Sequence, residues 1–346
     1  MAKRLLLFLA LIAAAACGGR TTASKPPLSI LLVTIDTLRA DRLGAYGDAK
    51  ARTPILDGLA RQGVLFERAY TPVPITLPAH VSLMTGLLPP AHGVRGNGAF
   101  ALTSGIPTLA EALKASGRRT AAFIGGFPLV RGFGLSRGFD EYDDAMSKAA
   151  CVNYDFAERR ARDVVIAAQG WMNANAGSVF VWVHLFDPHA YDPPAEFRTD
   201  DLYRDEITAV DAALGALLST WDARPGDNLV VVTSDHGEAF GEHGEWSHSL
   251  FVYDTTLHVP LIIHGAGFGA GTRSRAAVGL TDIGATILEA VGTGGRSARL
   301  LVRGTPWRAP RLDATLDRRI ESPASRKWAS PKSLECRRPE NRWKKI

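Results

Sequence analysis

Four apolar, β-branched runs constrain this chain more than any other feature: "LSILLVTID", "SVFVWVHLFD", "NLVVVTSDHGE" and "HVPLIIHG". Each is nearly continuous rather than alternating, the pattern of a strand buried on both faces, as parallel strands are. Between them, "TPILDGLARQG", "IPTLAEALKASG" and "YRDEITAVDAALGALLSTW" carry apolar residues at helical spacing, the first two with Gly near the end. Strand and helix alternate, so the expected class is α/β with helices covering both faces of a mostly parallel sheet. The length suits one large domain of this kind.

Three of the four runs end on side chains that bind metals or move protons. Asp36 follows the first, Asp187 and His189 the second, Asp235 and His236 the third. An Asp at one strand end commonly caps the next helix. Three such ends, two of them with a His, point instead to the crevice beyond the carboxyl ends of an open sheet, where ligands bind. Carboxylate mixed with imidazole suits a divalent cation and leans toward zinc or manganese over calcium. A nucleophile is at hand in "PITLPAHVSLMTG", where Thr76 stands in a small-residue turn ahead of a helix-like run. Its hydroxyl is weak at its free pKa and would need a cation beside it to react.

The chain opens "MAKRLLLFLALIAAAACGG", with Lys3 and Arg4, an apolar run from Leu5 to Ile12 and small residues directly before Cys17. This reads as a bacterial lipoprotein signal over residues 1–17, with Cys17 the lipidated first residue of the mature chain. The alternative, an ordinary secretory signal cut near the alanines, also exports the protein. Residues 18–28 would tether a domain at 29–295, and Gly18 gives no acidic retention signal, which leans to an outer membrane or the periplasmic face. Cys151 and Cys336 leave one disulfide open in an oxidising compartment. The net charge of +5 is misleading, because residues 296–346 hold 15 of the 40 Lys and Arg and 5 of the 35 Asp and Glu. The body is acidic, so a nucleic-acid partner is not expected. The basic segment 296–346 is weakly periodic and short of apolar residues.

The stretches "ILLVTIDTLRADRLGAYG", "TPILDGLA", "TLPAHVSLMTGLLPPAHGVRGNG", "FGLSRGFDEYDD", "FDPHAYDPP", "TSDHGEAFGEHG" and "LFVYDTTLHVPLIIHG" together resemble a sulfatase-type member of the alkaline phosphatase superfamily, from about Ser29 to Gly292. The resemblance implies an alkaline-phosphatase-like α/β/α sandwich around a mostly parallel sheet and a metal-centred site that hydrolyses sulfate or phosphate esters of small molecules or glycans. Position by position, Asp36, Asp235 and His236 match metal ligands and Thr76 the nucleophile. His189 and His248 match substrate-side or second-metal positions, Asp187 a second metal's carboxylate, and Asn97 a residue near the pocket wall. His80 and His92 match no ligand position and read as structural or supporting. His184, inside a strand, reads as a satisfied core histidine, and His243 as loop support.

Departures from the family pattern are equally informative. Formylglycine sulfatases read Cys or Ser, any residue, Pro, Ser, Arg, whereas this chain reads Thr76, Leu77, Pro78, Ala79, His80. Oxidation of a threonine gives a ketone rather than an aldehyde, so Thr76 acts unmodified or not at all. The acidic residue that often follows Asp36 is Thr37 here, which removes one oxygen from a calcium-type cage. Two readings follow: a metal-dependent ester hydrolase (zinc, manganese or calcium), and a non-catalytic sulfatase-like binding lipoprotein that has kept the fold. The membrane anchor is testable separately: Cys17→Ser is expected to release the protein from membranes or to block its processing, and unchanged membrane fractionation of that variant would remove the lipoprotein assignment.

Overall fold

The computed structural model describes residues 28–146 and 158–292. Cys17, the tether up to residue 27, Cys151, and the basic segment with Cys336 lie outside the described residues. Among the described residues no helix is long and apolar enough to cross a membrane.

One eight-stranded sheet organises the molecule. In chain order its strands are β1 (Ser29–Ile35), β2 (Val64–Tyr70), β3 (Arg119–Ile124), β4 (Glu141–Asp143), β5 (Val179–Leu185), β6 (Asn228–Ser234), β7 (His258–Gly265) and β8 (Thr272–Gly279). They lie side by side as β4-β3-β5-β1-β6-β7-β2-β8. The central strands β1, β5 and β6 are parallel and carry three of the four apolar runs. The fourth run, β7, is antiparallel to both β6 and β2, against the expectation of a parallel strand. Continuous apolarity reports burial on both faces, which β7 shares, and carries no information on direction. The direction is set by the connection: residues 235–257 stay near the carboxyl end of β6, so β7 begins there and runs back, pairing Thr233 with Leu261 and Leu229 with Gly265.

Side chains alternate across the sheet into two cores. Ile30, Leu32, Phe180, Trp182, Leu229 and Val231 face the layer that holds helices Thr76–Thr85, Leu109–Ala115 and Leu280–Ala290. Leu31, Val33, Val181, Val183, Val230 and Val232 face helices Pro54–Gln62, Ala161–Ala174 and Leu202–Asp222. Every residue of Thr76–Thr85 is buried, so this helix is held by packing on all sides rather than by one apolar stripe. It stops at Gly86, whose left-handed φ of 68° lets its N–H reach the Ser82 carbonyl.

Helices of this second layer are also tied to each other at a helix end. Thr53, the residue before helix Pro54–Gln62, makes no capping bond with its side chain. Asp211, from the middle of helix Leu202–Asp222, accepts instead from the N–H groups of Ile55 (3.0 Å) and Leu56 (2.8 Å). Burial pushes the Asp211 pKa up to about 6, against the lowering effect of those two bonds. Asp211→Ala leaves two donors unpaired and is expected to cost about 1–3 kcal/mol, read as a lower urea midpoint. Because the folded pKa lies above the unfolded value, the folded state binds more protons between about pH 4 and 6. Asp211 therefore makes the parent lose stability as pH rises through that window, and the alanine variant should lack this contribution.

Candidate active site

Strand register brings the site together. Ile35 pairs with Leu185 on one side and with Ser234 on the other, so Asp36 and Asp235 leave the sheet at the same level. Thr37 turns the chain sharply there with φ of 54°, unusual for a β-branched residue. Its N–H donates to Asp235 Oδ1 (3.3 Å), and its carbonyl accepts from the Tyr203 hydroxyl (2.6 Å). Asp235 Oδ1 also accepts from the His236 N–H (2.9 Å).

Asp235 Oδ2 and both carboxylate oxygens of Asp36 are buried without a hydrogen-bond partner. His236 Nδ1 donates to the Gly237 carbonyl (2.9 Å), which leaves the Nε2 lone pair free. That Nε2 lies 3.3 Å from Asp235 Oδ2 and 3.9 Å from Asp36 Oδ1. One ligand atom from each of Asp36, Asp235 and His236 falls within 4.8 Å of the others. Burial, then the charges of Asp235 and Glu238, raise the Asp36 pKa well above the carboxylate range. Burial likewise raises Asp235 and lowers His236, whose imidazole stays neutral. Two orphaned carboxylates and a neutral imidazole fit a divalent cation, whose charge offsets the cost of burying them.

Thr76 is the first residue of its helix and fully buried, with Oγ1 3.4 Å from His236 Nε2. Asn97, expected near the pocket wall, accepts from the Leu77 N–H (2.9 Å) and so braces the first turn that carries Thr76. His189 and His248 join the same cluster: the His248 ring lies 4.4 Å from that of His236 and 5.4 Å from that of His189, which stacks on Phe186 at 4.6 Å. Asp187 is not among the residues whose ligand atoms cluster within 4.8 Å. Its Oδ2 accepts from the Ala161 N–H (2.7 Å) at the start of a helix, and burial pushes its pKa up to about 7. A strand-end Asp beside a helix start satisfies orphan donors, the competing role that any such Asp can take.

Three residues outside the sequence-derived set shape the centre. Glu238 accepts from His248 Nδ1 (3.1 Å) and from the Tyr191 hydroxyl (2.7 Å). Burial works against protonation of His248, but the Glu238 carboxylate outweighs it and raises its pKa. Arg39, almost wholly buried, grips Asp41 through two nitrogens, Glu242 and the Glu238 carbonyl, and so folds the 238–242 segment over the strand ends. His184 corrects an expectation: it is a core histidine, but neither ring nitrogen has a hydrogen-bond partner, and its Nε2 lies 3.5 Å from Asp36 Oδ2. Glu238 was visible as the acid that follows Asp-His-Gly. Arg39 and His184 gave no local signal, because the contacts that place them at the centre, Arg39 to Glu238 and Glu242 and His184 to Asp36, join segments more than a hundred residues apart in the chain.

Residues 29–293 match the family described as Sulfatase. The chain is 25% identical over 319 residues to Delta 4,5-hexuronate-2-O-sulfatase of Bacteroides thetaiotaomicron, covering 73% of this chain and 65% of that protein. It is 26% identical over 293 residues to an ulvan-active sulfatase of Formosa agariphila, covering 70% and 57%. It therefore spans about 57 to 65% of the length of these relatives. Among solved structures, the phosphonate monoester hydrolase of Agrobacterium radiobacter has a TM-score of 0.61 at 23% identity, with 81% of this chain and 78% of that one covered. The overlap with that structure supports the α/β fold, and the family match over residues 29–293, with Asp36, Thr76, Asp235 and His236 inside it, places this chain in the sulfatase family.

Proposed function

We propose that the chain is a metal-dependent hydrolase of sulfate or phosphate esters, with glycan or small-molecule substrates, in which unmodified Thr76 is the nucleophile. The observation that carries this reading is the Thr76 hydroxyl, fixed on the first residue of a buried helix and 3.4 Å from the Nε2 of a candidate ligand, His236. Asp36, Asp235 and His236 would hold the cation. When bound, it supplies positive charge that favours the alkoxide of a neighbouring hydroxyl and offsets charge on the ester oxygens.

Thr76 Oγ1, its proton released to water as the hydroxyl ionises, then bonds to the phosphorus or sulfur while the ester oxygen departs. His248, whose proton is favoured by Glu238, donates to that leaving oxygen, and burial holds the pKa of His189 down to about 4, so it acts as a neutral hydrogen-bonding group beside it. Water completes the cycle by releasing Thr76. A phospho-threonine can be released this way, whereas a sulfo-threonine lacks the elimination open to a formylglycine hydrate, so phosphorus esters fit Thr76 better. Export and anchoring through Cys17 would put this activity at a bacterial membrane surface.

A panel of aryl phosphate, phosphodiester, phosphonate and sulfate esters, assayed with zinc, manganese or calcium, tests the reading. Metal-dependent turnover of a phosphorus ester is expected, and a protein that binds metal but turns over none of the panel would favour the binding-lipoprotein alternative. Thr76→Ala should lower turnover by orders of magnitude with metal still bound, and Thr76→Ser should keep part of it, because only the hydroxyl reacts. Asp235→Asn should lose both metal and turnover. In the metal-stripped protein, Asp36→Asn is expected to raise Tm, because it removes a buried carboxyl whose ionisation burial and Asp235 oppose, and to abolish the further rise in Tm that added metal gives the parent. An unchanged metal-free Tm with the metal-induced rise intact would exclude Asp36 as a ligand.

A further inference from the structure

Beneath the three ligand residues lies a second buried layer of imidazoles. The rings of His80 and His184 stack with centroids 4.9 Å apart and planes 17° from parallel, and both are fully buried. Hydrogen bonds fix the His80 tautomer. Nδ1 faces only acceptors, the Thr76 carbonyl (2.8 Å) and, farther off, Asp235 Oδ2 (3.7 Å), so it carries the proton. Nε2 must then accept, from the Thr34 hydroxyl (3.0 Å), and that hydroxyl in turn accepts from Trp182 Nε1 (3.0 Å). This directed chain, Trp182 to Thr34 to His80 to Thr76, ends on the backbone of the residue whose hydroxyl meets His236. His184 has no comparable chain, and the polar atom its Nε2 approaches is Asp36 Oδ2, itself without a partner.

We propose that His80 and His184 form one positioning unit: His80 sets Thr76 through its carbonyl, His184 sets Asp36 by donating Nε2–H to Oδ2, and the stacked rings fix the two relative to each other. Ligand carboxylates usually need such an outer partner, whose removal costs about 10–100-fold in metal affinity or activity. Neither residue touches the reacting atoms. The kinetic arm of the test rests on the function proposed above, and the metal arm does not.

Manganese titration of the metal-stripped protein is the first readout. His184→Met and His184→Gln fill similar volume, but only Gln can donate, so the Mn²⁺ dissociation constant should rise about 10–100-fold with Met and recover toward the parent with Gln. Parental Mn²⁺ binding by His184→Met, or equal weakening by both, would overturn the assignment of His184. The second readout is ester turnover at saturating Mn²⁺. His80→Phe keeps a stacking ring without the hydrogen bonds and should lower kcat about tenfold or more at saturating Mn²⁺ while KM stays near its parental value. Thr34→Val, which breaks the same chain one step earlier without altering the imidazole, should lower kcat in the same direction, and Thr34→Ser should restore it. Parental kcat in Thr34→Val and His80→Phe would overturn the role of His80. If the parent turns over no ester, the proposed hydrolase fails, and the His184 manganese series alone decides whether the layer positions the metal ligand.

Discussion

Two carboxylates buried side by side are the constraint on which the rest of the structure depends. Asp36 and Asp235 follow adjacent parallel strands in register, in a frame that is apolar on both faces. Each buried unpaired carboxylate costs several kcal/mol, and two together repel. The fold accepts that cost and spends its nearby donors on only one oxygen of the four, Asp235 Oδ1, which takes two backbone N–H groups. The strained backbone at Thr37 delivers one of them and is held from behind by Tyr203, whose hydroxyl both donates to the Thr37 carbonyl and accepts from the Arg39 N–H. The strained turn thus aims one donor at Asp235 Oδ1, while Asp235 Oδ2 and both Asp36 oxygens have no hydrogen-bond partner.

Residues 235–257 then close over that place. Gly237 is required on steric grounds, since a Cβ there would collide with the Thr255 carbonyl, and its N–H is bound by the Thr256 carbonyl (2.8 Å). The segment folds back on itself directly beyond the ligands and brings Glu238 and His248 together. Glu245, also buried, accepts from the N–H groups of Leu250 (3.3 Å) and Phe251 (3.1 Å), which fixes the stretch beyond His248. Arg39 secures the other side. The same connection that turns β7 antiparallel therefore carries Glu238 and His248, so strand direction and the make-up of the candidate site depend on one stretch of chain.

What the sequence revealed follows from range. Continuous apolar runs exposed β1, β5, β6 and β7, because two-sided burial writes itself into consecutive residues. β2 and β8 did not stand out: β8 exposes much of its length at the sheet edge and reads "TRSRAAVG", and β2 mixes Glu67 and Arg68 into its run. Asp36, Asp235 and His236 were legible as strand-end residues and are brought together. Asp187 had the same local signature but pairs with a helix start, a choice made by the packing of helix Ala161–Ala174 rather than by neighbours in sequence. Arg39, His184 and the capping role of Asp211 depend on contacts between distant segments, which no periodicity reports.

The start of helix Thr76–Thr85 shows how the chemistry is divided. A helix N-terminus ordinarily offers several free N–H groups to an anion. Here Pro78 has none, the Leu77 N–H is bound by Asn97, and the Ala79 N–H is bound by the Ile75 carbonyl. The first turn also contains no acidic side chain, and the position four residues after Thr76 holds His80, whose Nδ1 is committed to the Thr76 carbonyl. The helix end therefore works as a mount for one hydroxyl more than as an anion cradle. On the function proposed above, stabilisation of charge on a reacting ester falls to the Asp36–Asp235–His236 centre and the His189–His248 pair, where the fold has concentrated buried titratable groups.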